Sequence, residues 1–170
     1  MKLSKLLKPS LGAATLICAA VAAGPKAASP TTTTTTFTVS TDVQTACAVS
    51  ATPLNFGTYI ATAASNSTST ITVQCNNLTA YNVGLDAGTN TGATVTTRAM
   101  TGPTGAVPLP YFLYSDSART VNWGNTPGTD TVSGTGNGSG QPLTVYGHIP
   151  SGEVSRAGLY SDTITVTVTF

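Results

Sequence analysis

Hydrophobic and polar residues alternate one by one along much of the chain, and no apolar stripe recurs at helical spacing. The clearest run is "DTITVTVTF", residues 162–170. It places Ile164, Val166, Val168 and Phe170 on one face of a strand and Thr163, Thr165, Thr167 and Thr169 on the other. Further strands are expected near 54–56, 69–75, 80–86, 98–101, 109–115, 121–123, 141–148 and 159–170, rich in Thr, Val and Tyr. From Phe37 the odd positions Phe37, Val39, Val43, Cys47 and Val49 are apolar, with Thr41 and Thr45 in phase. That pattern predicts one strand, or two in line, over 37–49.

Turn signals separate these runs about every ten residues. "GTNTGAT" at 88–94 and "SGTGNGSG" at 133–140 supply the positive-φ positions that tight hairpins need. The second loop is glycine-rich enough to suggest a phosphate cradle, but no helix follows to supply free N–H groups. Many short strands with little or no helix predict an all-β, antiparallel sandwich of the immunoglobulin type.

The N-terminus departs from this pattern. Lys2, Lys5 and Lys8 precede an apolar run from Leu11 to Ala23, too short to anchor in a bilayer, which takes about 20 apolar residues. Residues 1–23 read as a secretory signal peptide, with Val21 and Ala23 at the two recognition positions before the cut. Cleavage after Ala28 would put Lys26 in one of them. Cys18 leaves with the peptide, and Ile17 before it does not suit a lipoprotein. Residues 24–40, with six consecutive Thr, form an extension, and 41–170 form the domain.

Processing changes the charge and the cysteine count. It leaves four basic against six acidic side chains, a net charge near −2, so nothing in the composition attracts nucleic acid. Cys47 and Cys75 remain, in a chain bound for an oxidising compartment, and are expected to pair. Closing a loop of about 28 residues is worth roughly 3–4 kcal/mol on the chain-entropy estimate.

Little in the chain suggests catalysis. Its one histidine, His148, sits at a strand end in "LTVYGHIP" and reads as structural or surface-exposed. Asp42, Asp86, Asp116, Asp130, Glu153 and Asp162 are scattered among turns without the pairing that acid/base work needs. No Cys/His cluster has metal-ligand spacing. Asn66, Asn77 and Asn137 lie in Asn-x-Ser/Thr triplets, which arise by chance in so Thr- and Ser-rich a chain. The chain therefore reads as non-enzymatic, without cofactor or metal.

A combination of segments goes further. "STDVQTACAVSATPLNFGTY", "ITVQCNN", "VPLPYFLYSDSARTVNWGN", "LTVYGHIPSG" and "AGLYSDTITVTVTF" cover the domain from Phe37 to Phe170. In order, spacing and both cysteines the chain resembles the spore coat protein U domain family, including the subunits of archaic chaperone–usher pili. The resemblance implies an incomplete immunoglobulin sandwich whose groove is filled by a strand from a neighbouring subunit. Donor side chains would be Thr31, Thr33, Thr35, Phe37 and Val39. Ile164, Val166, Val168 and Phe170 would line the acceptor groove and meet a periplasmic chaperone, which would hold the chain's terminal carboxylate. Implied partners are copies of itself or related subunits, that chaperone and an outer-membrane usher; the implied destination is a cell-surface fibre for adhesion or biofilm formation. A spore or cell coat protein is the alternative, and a ligand-binding tip adhesin is less favoured. Three of the five donor positions are Thr, where large apolar groups would each contribute about 1.5–3 kcal/mol on burial.

Overall fold

The computed structural model describes residues 24–170; residues 1–23, read above as a signal peptide and including Cys18, lie outside the described residues. The chain divides into Met1–Thr41 and Asp42–Phe170. Residues 24–41 form no strand, and every side chain there is exposed.

Asp42–Phe170 is all antiparallel β. Its strands are β1 (Cys47–Ala51), β2 (Ser65–Cys75), β3 (Ala80–Leu85), β4 (Ala99–Met100), β5 (Leu109–Pro110), β6 (Phe112–Tyr114), β7 (Val132–Thr135), β8 (Gln141–Ile149) and β9 (Val166–Thr169). One sheet has the order β1-β2-β8-β6, a second the order β7-β3-β9, and β4-β5 form a two-stranded ribbon. No helix occurs among the described residues. The arrangement is the immunoglobulin-like sandwich expected from the alternation.

Alternation decides what meets between the sheets. β2 and β8 turn Ile71, Val73, Cys75, Val145 and Ile149 inward, and β3 answers with Tyr81, Val83 and Leu85, all buried. Trp123 lies between the sheets and donates its indole N–H to the carbonyl of Val83 at 2.8 Å, so the largest core side chain leaves no polar atom unmatched. Cys47 and Cys75 stand opposite each other in the β1–β2 register and form the expected disulfide.

Several expected strands are shorter or absent, for local reasons. Residues 37–45 lie outside any ladder, and β1 starts only at Cys47. The stretch 54–56 follows Pro53, which has no N–H to offer, and is fastened to β2 by side chains instead. Ser67 donates to the carbonyl of Asn55 at 2.6 Å and Ser65 to that of Phe56 at 3.3 Å. Residues 121–123 make a single bridge, Tyr114↔Asn122. The last strand is confined to Val166–Thr169, because the Thr165 N–H turns to the Asp86 carboxylate. Conversely, β7 was not expected: its sequence VSGT offers one apolar side chain, and its pairing with β3 holds it in place.

Candidate functional site: an open cleft between two sheet edges

Each main sheet ends in a strand with only one neighbour on the same flank of the sandwich: β1 pairs only with β2, and β9 only with β3. The two edges adjoin at β1 and β9 themselves. Beyond Ala51 on one side, and before Val166 on the other, they part around a cleft of about 960 Å³. Ile71, Val145 and Ile149 face it from the four-stranded sheet, and Leu85, Val166 and Ile164 from the opposite side. Its walls are the segments 51–59 and 155–164, neither of which belongs to a ladder over most of its length.

The 51–59 wall is held by side chains. Leu54 and Phe56 fold over Gly147 of β8, where a Cβ would meet their side chains at 2.8–2.9 Å, so only glycine leaves room for them. Phe56 packs edge-on against Tyr111, with ring centroids 6.5 Å apart. Tyr59 donates its hydroxyl to the carbonyl of Pro150 at 2.8 Å, securing the far end of the wall.

The opposite wall hangs on a polar cluster. Tyr111 donates to Asp162 Oδ2 at 2.7 Å, and the other carboxylate oxygen accepts from the Thr89 N–H at 2.8 Å and the Thr89 hydroxyl at 2.7 Å. Burial alone would raise the Asp162 carboxyl, but the bonds from Tyr111, Thr89 and the Thr163 N–H outweigh it and hold the group below its ordinary range. Burial, and then the Asp162 charge, push the Tyr111 phenol well above its ordinary value, so it stays a neutral donor. Asp86 behaves like Asp162: burial is opposed by hydrogen bonds from Thr165 and Gly88, and its carboxyl lies low.

Behind this wall lies Arg98, 1% exposed. Its guanidinium donates to four carbonyl oxygens, of Leu85, Asp86, Val95 and Trp123, each at 2.8 Å. Burial lowers its pKa, yet an arginine remains charged, and its donors find acceptors on three separate stretches of chain. Arg98 thus joins β3, the loop before β4 and the Trp123 segment into one support for the cleft.

The residues expected to form a groove divide. Ile164 and Val166 line the cleft; Val168 packs half-buried against the core outside it, and Phe170 is exposed. Of the residues expected to act as a donor, Thr31, Thr33, Thr35, Phe37 and Val39 are all exposed, Phe37 at 85%. Sequence reasoning missed the Tyr111–Asp162 pair and the Arg98 anchor. The first joins residues 51 positions apart, and no local pattern marks an arginine whose partners are backbone carbonyls. Among the described residues no cluster of His, Cys, Asp or Glu is arranged to hold a metal ion.

Comparison with known proteins places this architecture. The Spore Coat Protein U domain matches residues 33–167. "Protein U" of Myxococcus xanthus is 35% identical over 128 residues, which are 69% of this chain and 71% of that protein. Among solved structures, the chaperone–tip adhesion subunit pre-assembly complex of the archaic chaperone–usher Csu pili of Acinetobacter baumannii contains a chain that superposes with a TM-score of 0.58 at 27% identity. The match covers 75% of this chain and 40% of the solved one, so this chain spans about two fifths of that relative's length. By the extent of the family match and its identity to Protein U, this chain belongs to the Spore Coat Protein U domain family.

Proposed function

We propose that the protein is a structural subunit of a surface fibre, assembled by donating its N-terminal extension as a strand to the cleft of the next copy. The observation that carries this reading is the largely apolar cleft that opens where the two sheet edges part, in a chain that also exposes the segment 31–39, six Thr followed by Phe37 and Val39 in alternation. An unpaired edge beside an apolar trough has both requirements for strand addition: main-chain N–H and C=O groups for a ladder, and pockets for alternate side chains. In this reading Phe37 and Val39 supply most of the apolar burial, and the three Thr fit the part of the cleft edged by Tyr111, Asp162 and Ser161. Likeness to the Csu complex supports a periplasmic chaperone as the first occupant of the cleft, an outer-membrane usher as the exit, and a cell-surface destination. Attachment or biofilm formation is the role such a fibre would serve. The reading is non-enzymatic.

A coat is the second reading, favoured by the family's description. The same strand exchange would then build a layer. Electron microscopy of assembled material separates the two, since linear fibres support a pilus and sheets support a coat.

The test compares residues 24–170 with a chain lacking 24–40, by size-exclusion chromatography with light scattering. Ordered polymers are expected only from the longer chain, and a peptide spanning 28–42 is expected to bind the shorter one. Stable monomers from both, with no peptide binding, overturn strand donation.

A further inference from the structure

The outward face of the four-stranded sheet is uneven. Over most of β2 it presents Thr70, Thr72 and Gln74, but toward β6 it gathers rings. Register sets Phe112 opposite His148 and Tyr114 opposite Tyr146, and extends the first row to Asn66. Phe112 and Tyr114 have centroids 6.3 Å apart with planes at 26°, and Phe112 and His148 lie 6.5 Å apart at 35°. The Arg119 guanidinium sits 5.8 Å from the centre of the Tyr146 ring. None of these rings is in the core, which takes the alternate residues Leu113, Val145 and Ile149.

Cross-strand ring pairs stabilise a sheet by themselves, but that role needs no hydrogen-bonding fringe. Here one is present. Asn66 Oδ1 and His148 Nδ1 are 2.7 Å apart; because the amide oxygen can only accept, Nδ1–H donates. That tautomer leaves His148 Nε2 as an acceptor, and the Asn66 amide nitrogen keeps two donors, on one edge of the plate. No carboxylate stands in the paired rows, and Arg119 is occupied by the Tyr146 ring and by the carbonyls of Gly147 and Ser117. The face therefore carries no carboxylate and a single cation, held at one side by the Tyr146 ring and two carbonyls; it is apolar in its middle and able both to donate and to accept at its rim.

We infer that this plate is a binding site for a neutral saccharide. A pyranose ring offers a face of C–H groups, which the negative faces of aromatic rings attract, and adjacent hydroxyls that donate and accept together. The first suits Phe112, Tyr114 and Tyr146, and the second suits His148 Nε2 with the Asn66 amide. A polyanion would meet one engaged cation, and residues 24–170 carry four basic against six acidic side chains, so charge does not favour it. The site lies on the outer face of the sheet, away from the cleft, and does not depend on strand donation.

The experiment is saturation-transfer NMR on the full chain with cellohexaose, chitohexaose and maltohexaose, with a heparin hexasaccharide in parallel. At least one neutral hexasaccharide is expected to bind through its ring C–H protons. Tyr146→Ala and Asn66→Ala should each weaken binding by about tenfold or more, while Val166→Ser in the cleft leaves it unchanged. Asn66 is exposed, so its replacement spares the fold even where loss of Tyr146 does not. Failure of all three neutral sugars to bind, preference for heparin, or indifference to Asn66→Ala overturns the assignment.

Discussion

On β3, flanked by β7 and β9, Val83 and Leu85 are 0% and 1% exposed, whereas on β9, flanked by β3 alone, Val166 and Val168 stay half-buried with the same alternation. Across the sandwich the contrast repeats: Ile71 and Val73 of β2 are 1% and 0% exposed, and Val49 of the edge strand β1 is 42% exposed. Sequence pattern sets which face a side chain takes. The presence of a strand on each side sets how far it is covered. The paired interior is finished by its own chain, and the β1/β9 flank is where a further strand would complete the burial.

The largest effect is expected where the paired interior relies on one charge. Arg98→Leu would leave four carbonyl acceptors without their guanidinium partner, each costing about 1–3 kcal/mol if no water replaces it, so a loss on the order of 4 kcal/mol or more is expected. Urea unfolding should show the variant unfolded or nearly so; a shift below about 1 kcal/mol would mean the carbonyls find other donors. Replacing Cys47 and Cys75 together by Ala should cost about 3–4 kcal/mol by freeing a loop of 28 residues. That loss arises in the unfolded chain, so it should appear with or without an occupant in the cleft.

A paired substitution sharpens the contrast between the flanks. Val83→Ala removes two methyls from a closed site and should cost about 2 kcal/mol, while Val166→Ala at the cleft should cost about half that or less. Equal costs in the isolated chain would contradict an open flank. If strand donation is right, the cost of Val166→Ala should rise once the cleft is filled.

The smallest effect is that of pH. Asp162 and Asp86 have folded pKa values below their ordinary value of 3.8, so the folded chain binds fewer protons than the unfolded one as that value is crossed. Their contribution is fully present above about pH 5 and is lost as pH falls through 3.8 and below. Melting temperature measured from pH 6 down to pH 2 should therefore decline, and Asp162→Asn should flatten the decline. Since Asp162 anchors the 155–164 wall, its protonation should loosen the cleft before the core.

Much of this architecture was readable beforehand. The strong alternation of 69–75, 80–86 and 141–148 corresponds to β2, β3 and β8, which hold most of the core, so the fold class followed from period alone. What the sequence concealed depends on neighbours. Alternation over 37–45 is as regular as in β1, yet no ladder forms there, because a strand needs a partner as well as a pattern. β7 shows the converse: a nearly featureless VSGT made into a strand by β3. At the cleft, phase put Ile164 and Val166 on one face together with Val168 and Phe170, and only the family resemblance made that face a groove; that the cleft takes just the first two depends on where β1 and β9 part. Tyr111, Asp162 and Arg98 were not, because their partners lie far away in sequence or are backbone atoms.

The central claim is that the β1/β9 flank accepts a strand, and amide hydrogen exchange tests it most directly. The chain lacking 24–40 would be followed with and without a peptide spanning 28–42. Strand addition predicts new protection along the two cleft walls, 51–59 and 155–164, with little change in the already closed β2, β3 and β8. Unchanged protection in both walls at saturating peptide, or protection spread evenly over the domain, would contradict it.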